Sequence, residues 1–206
     1  MKKHILLLFL LYSIVAFSQK KEMVDNFWKG NYDKTIEIGK QILQSEPNDF
    51  ETILLIARAE DEKGNFKNAI PYLESAKKMM SEDWQKSWAF IELAKNSFGT
   101  GKLDDAKLFY NEALKVKGTK NSEKELKKFG MLTGLDEYYK NWKIRETQNI
   151  IFHFENSINE NEIERITKTR QIAFEQINVF FNSKLPKKID FFVWNLNKSY
   201  NQILNT

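Results

Sequence analysis

Cysteine is absent from the 206 residues, which excludes disulfides, thiolate metal sites, a cysteine nucleophile and a lipidated N-terminal cysteine. Histidine is nearly absent. Only His4 and His153 occur, too few for a histidine-rich metal centre. No G-x-x-x-x-G-K-[ST], G-x-G-x-x-G or G-x-S-x-G run is present, so the phosphate-cradling loops and the strained serine turn built on those spacings have no counterpart. Charge of one sign is lacking too. The 32 basic and 28 acidic residues give a formal charge of +4, and the signs alternate along the chain. That is too little and too mixed for a nucleic-acid surface; Lys77-Lys78 and Lys127-Lys128 read as solvated faces. Glu60-Asp61-Glu62 and Asp104-Asp105 fall at helix ends or exposed positions, where solvation and the helix dipole outweigh the burial that tunes a general acid. From these absences we expect no catalytic, metal or cofactor-binding residue, and no cofactor.

A long apolar run is missing as well. Ile5 to Phe17 is apolar except for Tyr12 and Ser13, about 13 residues against the roughly 20 a membrane-spanning helix needs. It follows the basic start Met1-Lys2-Lys3-His4 and precedes Ala16-Phe17-Ser18, which sets small residues at the positions a signal peptidase reads. The pattern is that of a secretory signal peptide over residues 1–18, with the mature chain beginning at Gln19 in the periplasm or outside the cell, and with membrane contact only through the uncleaved leader. The whole chain is 42% hydrophobic and 29% charged, a composition of globular rather than disordered protein.

What is present is a repeat. Gly64-Asn65-Phe66 is followed by Ala69, Tyr72 and Ala76, and Gly101-Lys102-Leu103 by Ala106, Phe109 and Ala113. Gly30-Asn31-Tyr32 opens a worn copy with Thr35 and Ile42 in the small-residue positions. The glycines lie 34 and 37 positions apart, the period of a helix-turn-helix solenoid. Each glycine sits between two helical patterns, where a tight reversal favours positive φ. Ala69 and Ala106 are small where two helices of a hairpin approach, and Ala76 and Ala113 fall on the same face. Ile53, Leu54, Ile56 and Ala57 supply the preceding helix of the second repeat; Phe90, Ile91, Leu93 and Ala94 supply it for the third. On these residues the chain resembles the tetratricopeptide repeat (TPR) family. The resemblance implies a right-handed solenoid of helical hairpins that binds a protein or peptide.

Residues 19–142 are expected to form that solenoid. Its first helix runs from about Lys20 to Lys29, with Val24, Phe27 and Trp28 on the apolar side. Pro47 ends the hairpin that follows, and Pro71 is expected to bend the second helix of repeat two without breaking it. Ser81-Glu82-Asp83 is expected to cap the helix carrying Trp84 and Trp88, a pair expected to pack between repeats. Ser122 to Glu125 reads as a capping box opening a helix with Leu126, Phe129, Met131 and Leu132 on its buried side. Gly134, with Leu135, Tyr138, Tyr139 and Trp142 after it, then reads as the turn of a degenerate fourth hairpin, the alternative being a single long helix broken at Gly130 and Gly134.

Residues 143–206 change character. Asn149–Glu155 alternates in period two and Ile189–Trp194 is bulky on both faces, two strands around a helix over Asn159–Phe181, with another helix over Asn197–Leu204. Strand, helix, strand with this crossover length implies a small, incomplete α/β segment. The stretches WKIRETQNIIFHF and LPKKIDFFVW are loosely similar to the opening of gluzincin-type metallopeptidase domains, which implies, as an alternative, the non-catalytic front of a longer or decayed zinc metallopeptidase. The helical H-E-x-x-H on which that family's activity depends is missing, so none of its catalytic residues carries over. His153 is expected to be a partly exposed strand residue.

For the solenoid, counting back from each glycine puts Glu51, Leu54, Arg58 and Glu62 of repeat two, and Trp88, Ile91 and Lys95 of repeat three, on the concave face lined by first helices. Arg58 and Lys95 are the expected grips on a partner carboxylate or carbonyl, and Trp88 an apolar anchor. The sequence names no partner protein or peptide, and it does not separate an adaptor from a purely architectural subunit.

Overall fold

The structure, a computed structural model, describes residues 18–184 and 188–195. Two compact units meet in sequence between Leu126 and Lys127, earlier than the expected boundary after Trp142. The leader residues 1–17 and the helix expected over Asn197–Leu204 lie outside the described residues.

The first unit is a run of helical hairpins: α1 (residues 18–28) with α2 (Tyr32–Ser45), α3 (Phe50–Glu62) with α4 (Phe66–Met79), and α5 (Asp83–Gly99) with α6 (Leu103–Leu114), followed by the start of α7 (Lys120–Thr133). Each hairpin reverses at its glycine, and Gly30, Gly64 and Gly101 all have φ of 76–77°. The same pair of bonds closes each helix end. At the second turn Gly64 N–H donates to the Asp61 carbonyl and Asn65 N–H to the Glu60 carbonyl, both at 2.9 Å. This left-handed glycine closure satisfies carbonyls that the helix leaves unpaired, and it explains why glycine recurs at that step.

The small residues do what their spacing predicts. Ala69, Ala76, Ala106 and Ala113 are all buried, so α4 and α6 each present methyl groups on the side that packs into the core. Thr35 and Ile42 fill the same places in the worn copy and are equally buried. Trp84 and Trp88 pack against the core formed by Phe50, Leu54 and Leu73, with Trp84 edge-on to Phe50. Pro71 is accommodated inside α4, which continues to Met79.

Several local expectations are corrected. In α1 the buried side is Met23 and Phe27, which pack on Ile36 and Ile56; Val24 and Trp28 are exposed, Trp28 at 73%. The cap of α7 is Thr119 and not Ser122. The Thr119 hydroxyl accepts from Ser122 N–H at 3.1 Å, while the buried Ser122 hydroxyl accepts from Ser87 at 2.9 Å. Leu132 is exposed although Leu126, Phe129 and Met131 are buried.

In the second unit the fourth hairpin does not form. Gly134 has the same positive φ and Leu135 N–H the same return bond to Gly130, but the chain then makes only a 3-10 turn over Glu137–Tyr139 before β1 (Lys143–Glu146). The aromatic residues expected on a helix face instead build a cluster: Tyr139 and Trp142 pack with Met131, Phe192 and Trp194, and the Tyr139 hydroxyl donates to the Met131 carbonyl at 2.6 Å. That phenol's pKa is pushed well up by burial.

The sheet has three strands where the alternation pointed to two. β2 (Ile150–Phe154) lies between antiparallel β1 and parallel β3 (Ile189–Val193), with α8 (Glu160–Phe180) as the crossover. β1 carries Lys143, Ile144, Arg145 and Glu146, mostly exposed, so no alternation marks it. Ile150, Phe152 and Phe154 pack with Ile158, Ile163 and Phe174, the period-two face anticipated for β2.

Candidate binding surface on the first helices

The first helices of successive hairpins touch through charged side chains. Arg58 Nε of α3 lies 3.0 Å from Glu92 Oε1 of α5, Lys95 Nζ lies 3.6 Å from Glu92 Oε2, and the same amine donates to Glu125 Oε1 of α7 at 2.9 Å. The Glu92 side chain is 1% exposed. The Arg58 guanidinium also sits over two rings, 4.8 Å from the Trp88 centroid and 4.9 Å from that of Phe27 in α1, a cation–π arrangement on both sides. One chain of contacts therefore runs from α1 through α3 and α5 to α7.

The charges in this network cancel, two cations against two carboxylates. Burial alone would lower the Lys95 amine, but Glu92 and Glu125 beside it hold its pKa above the usual 10.5. A buried cation with two carboxylate neighbours gains more from their field than it loses by leaving water. A second polar link lies at the C-terminal end of α3, where Asn96 of α5 donates to Asp61 Oδ1 at 2.6 Å and to the Phe66 carbonyl at 2.9 Å. Burial pushes the Asp61 carboxyl up to about 7, against a lowering by Asn96.

The seven residues singled out from the sequence divide into three groups. Leu54 and Ile91 are core side chains, Ile91 fully buried, and offer no surface to a partner; Leu54 packs with Ala69 and Leu73 of α4. Arg58, Lys95 and Trp88 are half-buried and brought together, but the two cations are already held by Glu92 and Glu125. Glu51 and Glu62 are exposed, and on α3 they share the Arg58 face by helical spacing. Sequence reasoning missed Glu92 and Glu125. Their signal was present as one carboxylate three residues before Lys95 and another two helices later, but nothing in one helix's periodicity says that a charge is paired across to the next hairpin.

In the second unit His153 Nε2 lies 2.7 Å from Asp190 Oδ1, and its ring stacks on Phe192 at 4.4 Å. This pair of half-buried His153 and exposed Asp190 ties β2 to β3. Among the described residues no group of three or more His, Asp or Glu side chains is placed to hold a metal ion, and no helix is long and apolar enough to cross a membrane.

No family model and no curated protein sequence matches the chain. Among solved structures it is similar to the first TPR domain of human RPAP3, at 20% identity and a TM-score of 0.47, over 60% of this chain and 97% of that one. It is also similar to the Sgt2 TPR domain from Aspergillus fumigatus, at 17% identity and a TM-score of 0.48, over 71% of this chain and 93% of that one. Both neighbours are TPR domains, but at that level of overlap neither supplies an argument. The helical-hairpin class rests on the glycine closures and small-residue seams of this chain itself.

Proposed function

We propose that the chain is an exported helical-repeat scaffold that binds a protein or peptide segment on the face shared by α1, α3, α5 and α7. The observation that carries this reading is that face itself. Half-buried Trp88 and Arg58 stack there, and exposed Glu51 and Glu62 share the Arg58 side of α3 by helical spacing, so an aromatic anchor and polar groups are presented on helices. Reversing Arg58 and Lys95 together is a poor test, because it would break the ties to Glu92 and Glu125 and damage the fold. A photo-crosslinking residue at Glu62 is better. It should capture a discrete partner in the exported fraction, while the same residue at Lys107 of α6, which is exposed, captures none. Equal capture at both positions would remove the face assignment. Export is tested separately by the N-terminal mass of the mature protein, expected to begin at Gln19.

A second reading concerns residues 143–206 as the non-catalytic front of a metallopeptidase. The order strand, strand, helix, strand, with β3 at a sheet edge, is what favours it. It requires an H-E-x-x-H motif encoded downstream of Thr206, and unrelated sequence after an ordinary stop codon would end it.

A further inference from the structure

We propose that the C-terminal tip of α8 is a lipid contact: the side chains of Ile177, Val179, Phe180 and Phe181 enter the interfacial layer of a phospholipid bilayer while the sheet stays in water. The inference goes beyond the binding surface on the first helices and does not depend on it.

The tip lies past the end of the sheet. At about 1.5 Å per residue the 21 residues of α8 span roughly 31 Å, whereas five-residue β2 and β3 span roughly 16 Å at about 3.3 Å per residue. Arg145 of β1 donates to Glu160 where the helix starts, and Thr147, in the turn between β1 and β2, already donates to Gln171 at 2.6 Å. Phe174 is the last α8 side chain packed on the core of the sheet, and the turns after it overhang the described strands. Val179 and Phe180, 81% and 82% exposed, are the most exposed large apolar side chains among the described residues, and Ile177 and Phe181 are exposed beside them.

The apolar groups lie all round the helix. By helical spacing Ile177 and Phe181 continue the line of Ile163 and Phe174, Val179 falls on the opposite side with exposed Ile172, and Phe180 lies between. A protein face would cover one side of such a tip; a lipid layer surrounds it. The backbone of the tip is also closed on itself. Phe181 N–H donates to the Ile177 carbonyl at 3.0 Å, Asn182 N–H to Val179 at 3.2 Å and Ser183 N–H to Asn178 at 2.9 Å, with Asn182 at a φ of 46°. Carbonyls that a helix end usually leaves to water are thus paired internally. The Ser183 hydroxyl likewise donates to the Asn178 side chain at 2.8 Å. Such pairing is what a segment leaving water requires. Charge is withdrawn from the tip as well: Gln176 to Ser183 carries none, in a chain that is 29% charged. At its border Glu175 accepts from Gln171, Lys184 is exposed, and Lys188 pairs with Glu146. These four charges cancel, so insertion rests on apolar burial and not on attraction to anionic lipid. No described helix is long and apolar enough to cross a membrane; the contact is with one leaflet.

The chain has no cysteine, so one introduced cysteine carries an environment-sensitive nitrobenzoxadiazole label at a single site. The full chain labelled at Val179→Cys is compared with the chain labelled at Glu164→Cys, an exposed position on the half of α8 beside the sheet. Both are titrated with vesicles of phosphatidylcholine, alone or with phosphatidylglycerol. Reading the label at its own site separates the tip from the apolar leader that the full chain also carries. At position 179 the emission should move to shorter wavelength on phosphatidylcholine alone, be quenched by doxyl-labelled lipid and persist as salt is raised; at position 164 it should not respond. Phe180→Ser/Phe181→Ser should raise the lipid concentration at half-maximal response by about tenfold or more, with far-UV circular dichroism unchanged because both side chains are exposed. The proposal is overturned by a label at 179 that ignores both kinds of vesicle, by an equal response at 164, or by a response indifferent to the serine pair. A response confined to phosphatidylglycerol vesicles and abolished by salt overturns it in favour of electrostatic adsorption. A shift without vesicles that grows with protein concentration overturns it in favour of a second copy of the chain.

Discussion

Glu92 is the residue on which the first unit's charged network turns, and Glu92→Gln is the perturbation that measures it. The carboxylate is buried with Arg58 Nε at 3.0 Å and Lys95 Nζ at 3.6 Å. At an effective dielectric of about 20, the two contacts correspond to roughly 5.5 and 4.6 kcal/mol of Coulomb energy. Desolvation of all three groups cancels most of that, and removing one partner of a buried pair costs about 3–5 kcal/mol because the cations stay behind unpaired. Lys95 keeps Glu125, so we expect the lower end, about 3 kcal/mol. Glu112→Gln is the control. Glu112 pairs with Lys115 at 2.6 Å at the solvent-facing end of α6, and its loss should cost no more than about 0.5 kcal/mol. Native-state hydrogen exchange reads the cost where it falls, in the opening free energy of α3 and α5 amides. Equal, small effects of the two substitutions would refute the network's role. Arg58→Leu/Glu92→Leu removes a charge of each sign and should recover much of the loss.

Other expectations follow from single side chains. Because folding raises the Asp61 carboxyl from 3.8 to about 7, the folded state holds a proton across that window that the unfolded chain has released. Stability should fall as pH rises from about 4 to 7 and level above it, with a slope bounded by about 1.4 kcal/mol per pH unit and reduced by the carboxyl's partial exposure; urea titrations of Asp61→Asn should lack this component. Ala106→Leu should cost about 1–3 kcal/mol by overpacking the α5–α6 seam, while Lys107→Leu, one exposed position along, should change almost nothing; hydrogen exchange should show the loss in α5 and α6 and spare α1. Gly64→Ala meets open space and only the left-handed backbone opposes it, about 1–2 kcal/mol. Gly134→Ala adds a clash of the new methyl with the Phe192 ring and should cost distinctly more in thermal denaturation.

The solenoid was legible because its signals are local and repeated. Gly64, Ala69 and Ala76 each answer to backbone reversal or helix approach, and the same answers recur at Gly101, Ala106 and Ala113. Gly134 shows the limit of that logic. Its turn forms as the repeat dictates, but the residues after it are decided by Met131, Phe192 and Trp194, partners that no period marks. β1 was missed for a related reason: Lys143 to Glu146 is held by its ladder to β2 and not by a buried face. At the binding surface, helical counting placed Arg58, Trp88 and Lys95 together. It could not separate Leu54 and Ile91, which the core takes, from their neighbours. Nor could it show that Glu92 and Glu125 neutralise the cations, because those pairings cross from one hairpin to the next.

The chain's five tryptophans offer a direct measurement of the central claim. Each indole N–H gives its own resonance, and Trp84 and Trp88 lie on α5 whereas Trp142 and Trp194 belong to the aromatic cluster of the second unit. Titrating the full chain with the partner segment captured through position 62 should shift the Trp88 and Trp84 signals and leave those of Trp142 and Trp194 in place. Shifts confined to Trp142 and Trp194, with Trp88 unmoved at saturation, would contradict a binding surface on the first helices.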